Sequence, residues 1–227
     1  MKTTIKILLL VAIVALSYFV IMSIMTPIKF ENERSKREKV VIERLIDLRT
    51  AQMEFKDQKG RYTVGLDTLV KFLQTGKKKM VLKEGTLSDA QLEAGLTEAK
   101  AVKIVRSGNM KEIEAYGLQH FRRDTTMTDL LTALYNGKYT AQSIENLQYI
   151  PFSENEIFEV EINNNYLSTN NIWIPLIEMR APYMAFLADV NRQETLNLID
   201  YQRKLEKYTG LKVGSVIEPN NFAGNWE

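Results

Sequence analysis

Residues 7–28, ILLLVAIVALSYFVIMSIMTPI, carry no charge, and they constrain the fold more than any other stretch. As a helix, such a run covers about 33 Å, enough for a bilayer core of roughly 30 Å. Lys2 and Lys6 precede it, Pro27 stands at its far edge and Lys29 follows. A cleaved signal peptide needs a shorter apolar core and small residues before the cut. Here the run is too long, and SIMTPIKF offers no such site. The expectation is a retained single-pass anchor that contacts the lipid bilayer through residues 7–28. A short lysine-bearing start before a long domain puts the amino terminus inside the cell. Basic residues at 29, 34, 36, 37 and 39 argue the other way when counted alone.

Beyond the membrane, Val41, Leu45, Leu48, Gln52 and Phe55 recur at spacings of four and three. That is one face of an amphipathic helix. Glu43, Asp47, Glu54 and Asp57, with Arg44, Arg49 and Lys56, mark the opposite face as charged. Gly60 ends the helix, because glycine enters the left-handed conformation without steric penalty. The apolar seam either docks on the chain's own domain or pairs with a partner helix.

Leu66, Leu69, Val70 and Leu73 predict a second, short helix. A lysine-rich strand is expected at residues 79–83. SDAQ at 88–91 has capping-box spacing and opens a helix to about residue 105. Residues 106–127 read as irregular, and MTDLLTALYNG as a short helix closed by Asn136-Gly137. NLQYIPF, EIFEVEI, NIWIPLIEMRAP and LKVGSVI read as strands, with NNN at 163–165 as a turn. Pro175 puts its strand at an edge or a bulge. A late helix capped by Asn191 runs to about residue 208, with Leu198, Tyr201, Leu205 and Tyr208 as its seam. Strands in sequence with helices set apart make the class α+β, with mostly antiparallel sheet. The expected division is 1–29 for the cytoplasmic tip and transmembrane anchor, 30–60 for the juxtamembrane amphipathic helix, and 61–227 for an extracytoplasmic α+β domain.

Little in the chain marks chemistry. There is no cysteine, so disulfides, thiolate metal sites and a thiol nucleophile are excluded. The net charge of +2 gives no field that would gather nucleic acid. No phosphate-binding glycine loop, nucleophile elbow or zinc-protease helix occurs. The single histidine, His120, stands near Asp124 with no nucleophile marked, so a structural role is expected. Glu154, Glu156, Glu159 and Glu161 read as a solvated strand face rather than a calcium loop. Arg122, Arg123 and Asp124 read as a surface network. Trp173 and Trp226 are candidate interface anchors. No catalytic, cofactor or metal residue is assigned.

RTAQMEFKDQKGRYTVGLDTLVKFL at 49–73 resembles the end of the long helix in type IV pilins and type II secretion pseudopilins. There an apolar-aromatic helical face meets a glycine-aromatic turn and a leucine-bearing segment. The likeness covers the first 60–70 residues. It implies a membrane helix running into a strand-rich domain. MKTTIKILLL has neither the cleavage glycine nor the following glutamate of prepilins. The whole chain, with its ending EPNN and GNWE, also resembles a family of bacterial single-pass envelope proteins. That likeness carries over no catalytic residue. The expectation is a non-enzymatic protein of the inner membrane with a periplasmic domain. It would act by contact with other envelope proteins or with itself. Val41, Leu45, Leu48, Phe55 and Trp226 are the expected partner-binding residues. A pilin-like filament subunit, or an envelope ligand-binding protein or enzyme, are the alternatives.

Overall fold

Helix α1 runs unbroken from Lys2 to Lys59. The structure, a computed structural model, describes residues 2–227, and for residues 2–5, 81, 82 and 125 the backbone only. One helix in it is long and apolar enough to cross a membrane, and its apolar window is fully exposed on every side. Pro27 lies inside α1. Its ring removes the hydrogen bond that would reach the Ser23 carbonyl. One residue earlier the Thr26 hydroxyl donates to the Met22 carbonyl at 2.8 Å, an extra bond next to the gap.

The chain is α+β and packs as two units, Met1–Leu73 with Thr140–Glu227, and Gln74–Tyr139. The division differs from the three consecutive segments expected above. The juxtamembrane helix is not a domain of its own but the central element of the first unit, and residues 61–227 contribute to both.

In the first unit α1 is followed by α2 (Leu66–Thr75), a 3₁₀ turn at Ser143–Gln148, strands β3 (Glu159–Leu167) and β4 (Trp173–Pro182), helices α7 (Tyr183–Leu187) and α8 (Arg192–Lys204), and strand β5 (Gly210–Gly214). The sheet order is β3-β4-β5, all antiparallel. Ile177, Met179 and Ala181 of β4 and Leu211 and Val213 of β5 are buried. They alternate with Glu178, Arg180 and Lys212 on the other face, where Glu178 is buried beneath its bonds to Arg180 and Lys212. α1 packs on β5, the 3₁₀ turn and α7.

The handover after α1 is held by one side chain. Gln52 is fully buried. Its Nε2 donates to the Thr63 carbonyl at 2.6 Å, and its Oε1 accepts from the Thr63 N–H at 3.2 Å. Gly60, at φ 75°, turns the chain back so that this clamp closes. Leu66, Leu69, Val70 and Leu73 of α2 are then buried, and Phe72 meets Phe55 edge to face with centroids 5.0 Å apart. Gln52→Ala leaves both Thr63 groups without their partner and is expected to cost about 2 kcal/mol. Thermal unfolding in detergent micelles measures it.

The second unit holds β1 (Lys77–Glu84), α3 (Asp89–Glu93), α4 (Glu98–Ser107), α5 (Met110–Ala115), β2 (Arg122–Asp129) and α6 (Leu130–Tyr135). β1 and β2 form an antiparallel two-stranded ribbon. The capping box is present: Ser88 Oγ accepts from the Gln91 N–H, and Gln91 Oε1 accepts from the Ser88 N–H. Leu96, Ala101, Leu118 and Phe121 make the unit's small core.

Several expectations need correcting. The helix expected from 88 to 105 is two, because Gly95 takes φ 79° between them and Thr97 caps α4. Residues 106–127 are not irregular but contain α5 and most of β2. NLQYIPF is no strand: it begins in the 3₁₀ turn and keeps one bridge, Tyr149 to Ile157. Residues 163–165 are a bulge inside β3, and the Ser168–Asn171 turn comes later. The bulge faces Pro175, which sits between the paired positions Ile174 and Leu176, so β4 stays central in the sheet. The buried positions of α8 are Thr195 and Ile199, while Tyr201 and Leu205 are exposed.

Candidate functional site

Val41, Leu45, Leu48 and Phe55 are all buried, and so are Ala51 and Gln52. The seam docks on the chain's own first unit and is no free surface for a partner helix. Asp47 and Glu54, placed on the charged face above, are buried too. The unit therefore wraps α1 on more than its apolar stripe. Arg44 reaches the Asn146 carbonyl, and Arg49 donates to the Phe222 carbonyl at 2.9 Å.

Trp226 also folds back. Gly224 is buried, and a Cβ there would overlap the Trp226 indole, so the ring lies directly on that glycine. Asn225 acts as a piece of edge strand. Its Oδ1 accepts from the Lys212 N–H at 3.0 Å, its own N–H donates to the Lys212 carbonyl at 3.0 Å, and its Nδ2 donates to the Gly210 carbonyl at 2.9 Å. Asn221 and Phe222 both take positive φ. This brings Phe222 against Tyr62, with centroids 6.0 Å apart. The ending EPNNFAGNWE is thus a strap that covers the open edge of β5.

Trp226 lines a cavity of about 480 Å³ with Arg34, Glu38, Tyr183, Tyr208 and Lys212. Its charges are largely spent. Arg34 bonds Glu38 at 2.8 Å and Glu31 at 3.2 Å, and Lys212 bonds Glu178 at 2.9 Å. Burial, then the Glu159 carboxylate, pushes the Tyr208 phenol up to about 12. Burial, then Asp57, does the same for Tyr62. Each folded phenol holds its proton above the ordinary value of 10.0. The stability this carries is whole below the unfolded pKa and is lost as pH rises through the folded one. Unfolding free energy should fall between pH 10 and about 12, and Tyr62→Phe with Tyr208→Phe should flatten that limb. Denaturant titrations across the alkaline range measure it.

Glu159 and Glu161 of EIFEVEI have a partner on their own sheet. Arg180 bonds Glu159 at 3.2 Å, Glu161 at 2.9 Å and Glu178 at 3.1 Å. Among the described residues no group of three or more His, Asp or Glu is placed to hold a metal ion.

His120, Arg122, Arg123 and Asp124 come together in the second unit. With Arg106, Met110, Ile113, Leu118 and Phe121 they line an open groove of about 760 Å³. Arg123 is committed to structure. It bonds Glu98 at 2.8 Å and the Glu84 and Gly85 carbonyls at 2.7 and 3.0 Å, and stacks on Phe121. Arg122 pairs with Asp124 at 2.6 Å. The groove has an apolar floor and a rim of mixed charge.

Trp173 is 62 % exposed at the β3–β4 hairpin tip, with Ile172 and Leu167 beside it. Ile174 and Pro175, next along β4, share a cavity with Lys56 and Tyr62. At the other end of β4, Tyr183 lies under Arg34, 5.7 Å from its ring centroid. The tip therefore stands at the far end of α1, about 40 Å beyond Ile28 along the helix. Ile217 is exposed on a neighbouring loop, which Asn163 Nδ2 holds through the Val216 carbonyl at 2.8 Å. Trp173 is a candidate anchor from its residue type, but hydropathy does not mark Leu167 and Ile172 beside it, since each could equally have faced the core. Comparison with protein-family models, with curated proteins and with solved structures returned no match.

Proposed function

We propose that the chain is a membrane-anchored, non-enzymatic envelope protein that works by protein–protein contact, as a scaffold or accessory subunit of an envelope, secretion or pilus-like assembly. The helix crosses the cytoplasmic membrane once, with the amino terminus inside and both units on the outer side. The observation that carries this reading is the union of anchor and core. α1 is at once the apolar span and the centre of the first unit. Whatever the unit presents is therefore held at a fixed height above the bilayer. The contact surface is not the seam or Trp226, which are used internally, but the hairpin tip of Leu167, Ile172 and Trp173. Large exposed apolar groups of this kind mark interaction sites.

Gentle detergent extraction through a flexible tag after Glu227, with sizing and mass spectrometry, tests the reading. A reproducible large complex that is lost in Trp173→Asp, with the thermal midpoint unchanged, is the expected result. A lone monomer that also fails to cross-link in membranes would overturn it. Recovery of only this chain in the complex would point to self-association, the filament-like variant.

The groove of the second unit favours a second reading, an envelope ligand-binding protein. An apolar floor under a rim of mixed charge that includes Arg106 suits an amphiphile whose anionic head meets that arginine. Thermal stabilisation of the full chain by fatty-acid or acyl-phosphate probes, abolished in Arg106→Ala, would favour it.

A further inference from the structure

The first unit begins to cover α1 as soon as the apolar run ends: Ile28 is exposed and Phe30 is buried. At that height the connection between α7 and α8 runs beside the helix. Val190 and Asn191 line a crevice of about 180 Å³ with Met22, Met25, Thr26, Lys29, Phe30 and Glu33. Met22 and Met25 lie about 9 and 5 Å short of the end of the apolar run. The connection is held at that height by Arg37, which grips Asp189 with two bonds, at 2.6 and 2.9 Å, and donates to the Phe186 carbonyl at 2.8 Å. Asn191 caps α8 by accepting from the Glu194 N–H at 3.1 Å.

Resting on the reading of α1 as a membrane span, we infer that residues 189–192 sit in the interfacial layer of the bilayer that α1 crosses. The lining of the crevice on α1 runs from Met22 to Glu33, so its middle stands level with the end of the apolar run. A hydrocarbon core of roughly 30 Å takes about 20 residues of helix, which from Ile7 reaches Thr26. The helix beside the connection then lies in the headgroup layer. Lys6 bounds the other end, so the span cannot slide that way without taking a charge into the core. The headgroup layer therefore reaches the connection. Its chemistry suits that layer. Val190 faces the methionines, and Lys29 and Arg192 have no ion-pair partner among the described residues. They are free to meet lipid phosphates.

The absence of cysteine makes single labels unique. The full chain, carrying Val190→Cys, Arg192→Cys, Ser17→Cys or Ile217→Cys, is labelled with an environment-sensitive fluorophore. It is then placed in vesicles of phosphatidylcholine and phosphatidylglycerol. Arg192 is exposed, so its label leaves the packing around Val190 intact. The expected result is a severalfold stronger quench at 190 and 192 than at 217 by a quencher near the top of the acyl chain, with shielding from aqueous iodide at 190. The label at 17 responds to a deep quencher. Labels at 190 and 192 that behave like 217, while 17 stays lipid-buried, would overturn the inference and leave the anchor standing. A label at 17 reached by iodide would overturn both.

Discussion

Leu45→Asp is expected to abolish the fold of the first unit while leaving the chain in the membrane. Leu45 has no exposed surface, and its neighbours Val41, Leu48 and Ala51 have almost none. Truncation of such a leucine to alanine alone costs about 2–5 kcal/mol. A carboxylate adds the cost of burying an unpaired charge, or of protonating it. The total rivals the whole stability of an ordinary domain, about 5–15 kcal/mol. Limited proteolysis of membranes should show rapid cleavage within residues 140–227, while the apolar helix still sediments with lipid. A variant that stays protease-resistant and loses only a binding partner would mean that the seam is open in the cell. Leu45→Met, nearly conserving volume, should cost less than about 1.5 kcal/mol and keep the fold.

Gly214→Ala is expected to lower stability by about 3 kcal/mol, from two sources that add. Gly214 takes φ 79° at the end of β5, and a Cβ there would overlap the Ile177 carbonyl oxygen. That oxygen belongs to β4, the central strand, so it cannot retreat without disturbing the sheet. The Gly214 N–H also donates to the Ala223 carbonyl at 3.1 Å, so the carboxy-terminal strap should loosen with it. The thermal midpoint should fall by roughly 6–12 °C. Gly60→Ala is the control. It has a similar φ of 75° but nothing within 4 Å of the added carbon, and should lose only about 1 kcal/mol. Equal losses at the two sites would mean that backbone strain, not the close approach, sets the cost.

The parts of this fold written locally were legible in the sequence. α1 ends at Gly60 as its pattern says, and α2 buries the four residues its spacing picks out. The box at Ser88 and the left-handed Asn136 are short-range chemistry and could be read directly. The failures are long-range. β2, RRDTTMTD, has no apolar alternation because its ribbon has only β1 as a partner, and nothing within seven polar residues and one methionine announces that pairing. On α8 the aromatic residues suggested a seam, yet Thr195 is the fully buried position. Its hydroxyl donates within the core, lying 3.1 Å from the Leu187 carbonyl and 2.9 Å from the Asn191 carbonyl. A polar residue with its bonds satisfied buries without penalty, and hydropathy misses it. The candidate site shows the same limit. The stripe on α1 was visible, but its cover, β5 and the 3₁₀ turn, lies far along the chain. Whether Trp226 packs back on the domain or meets a partner was open in the sequence, because no local rule foretells two consecutive left-handed residues at Asn221 and Phe222.

The first unit is interrupted by the second, and that has a consequence for how the chain is made. Synthesis delivers α1 first, and its apolar stripe is made well over a hundred residues before β5 and the strap that cover it. The second unit, contiguous from Gln74 to Tyr139, has all its elements in hand by then. The core of the first unit therefore stays half-built until the last residues of the chain are made. Val41, Leu45 and Leu48 stay uncovered throughout that wait, so biogenesis is the stage at which this stripe is open to a holding chaperone or to the stripe of a second nascent chain.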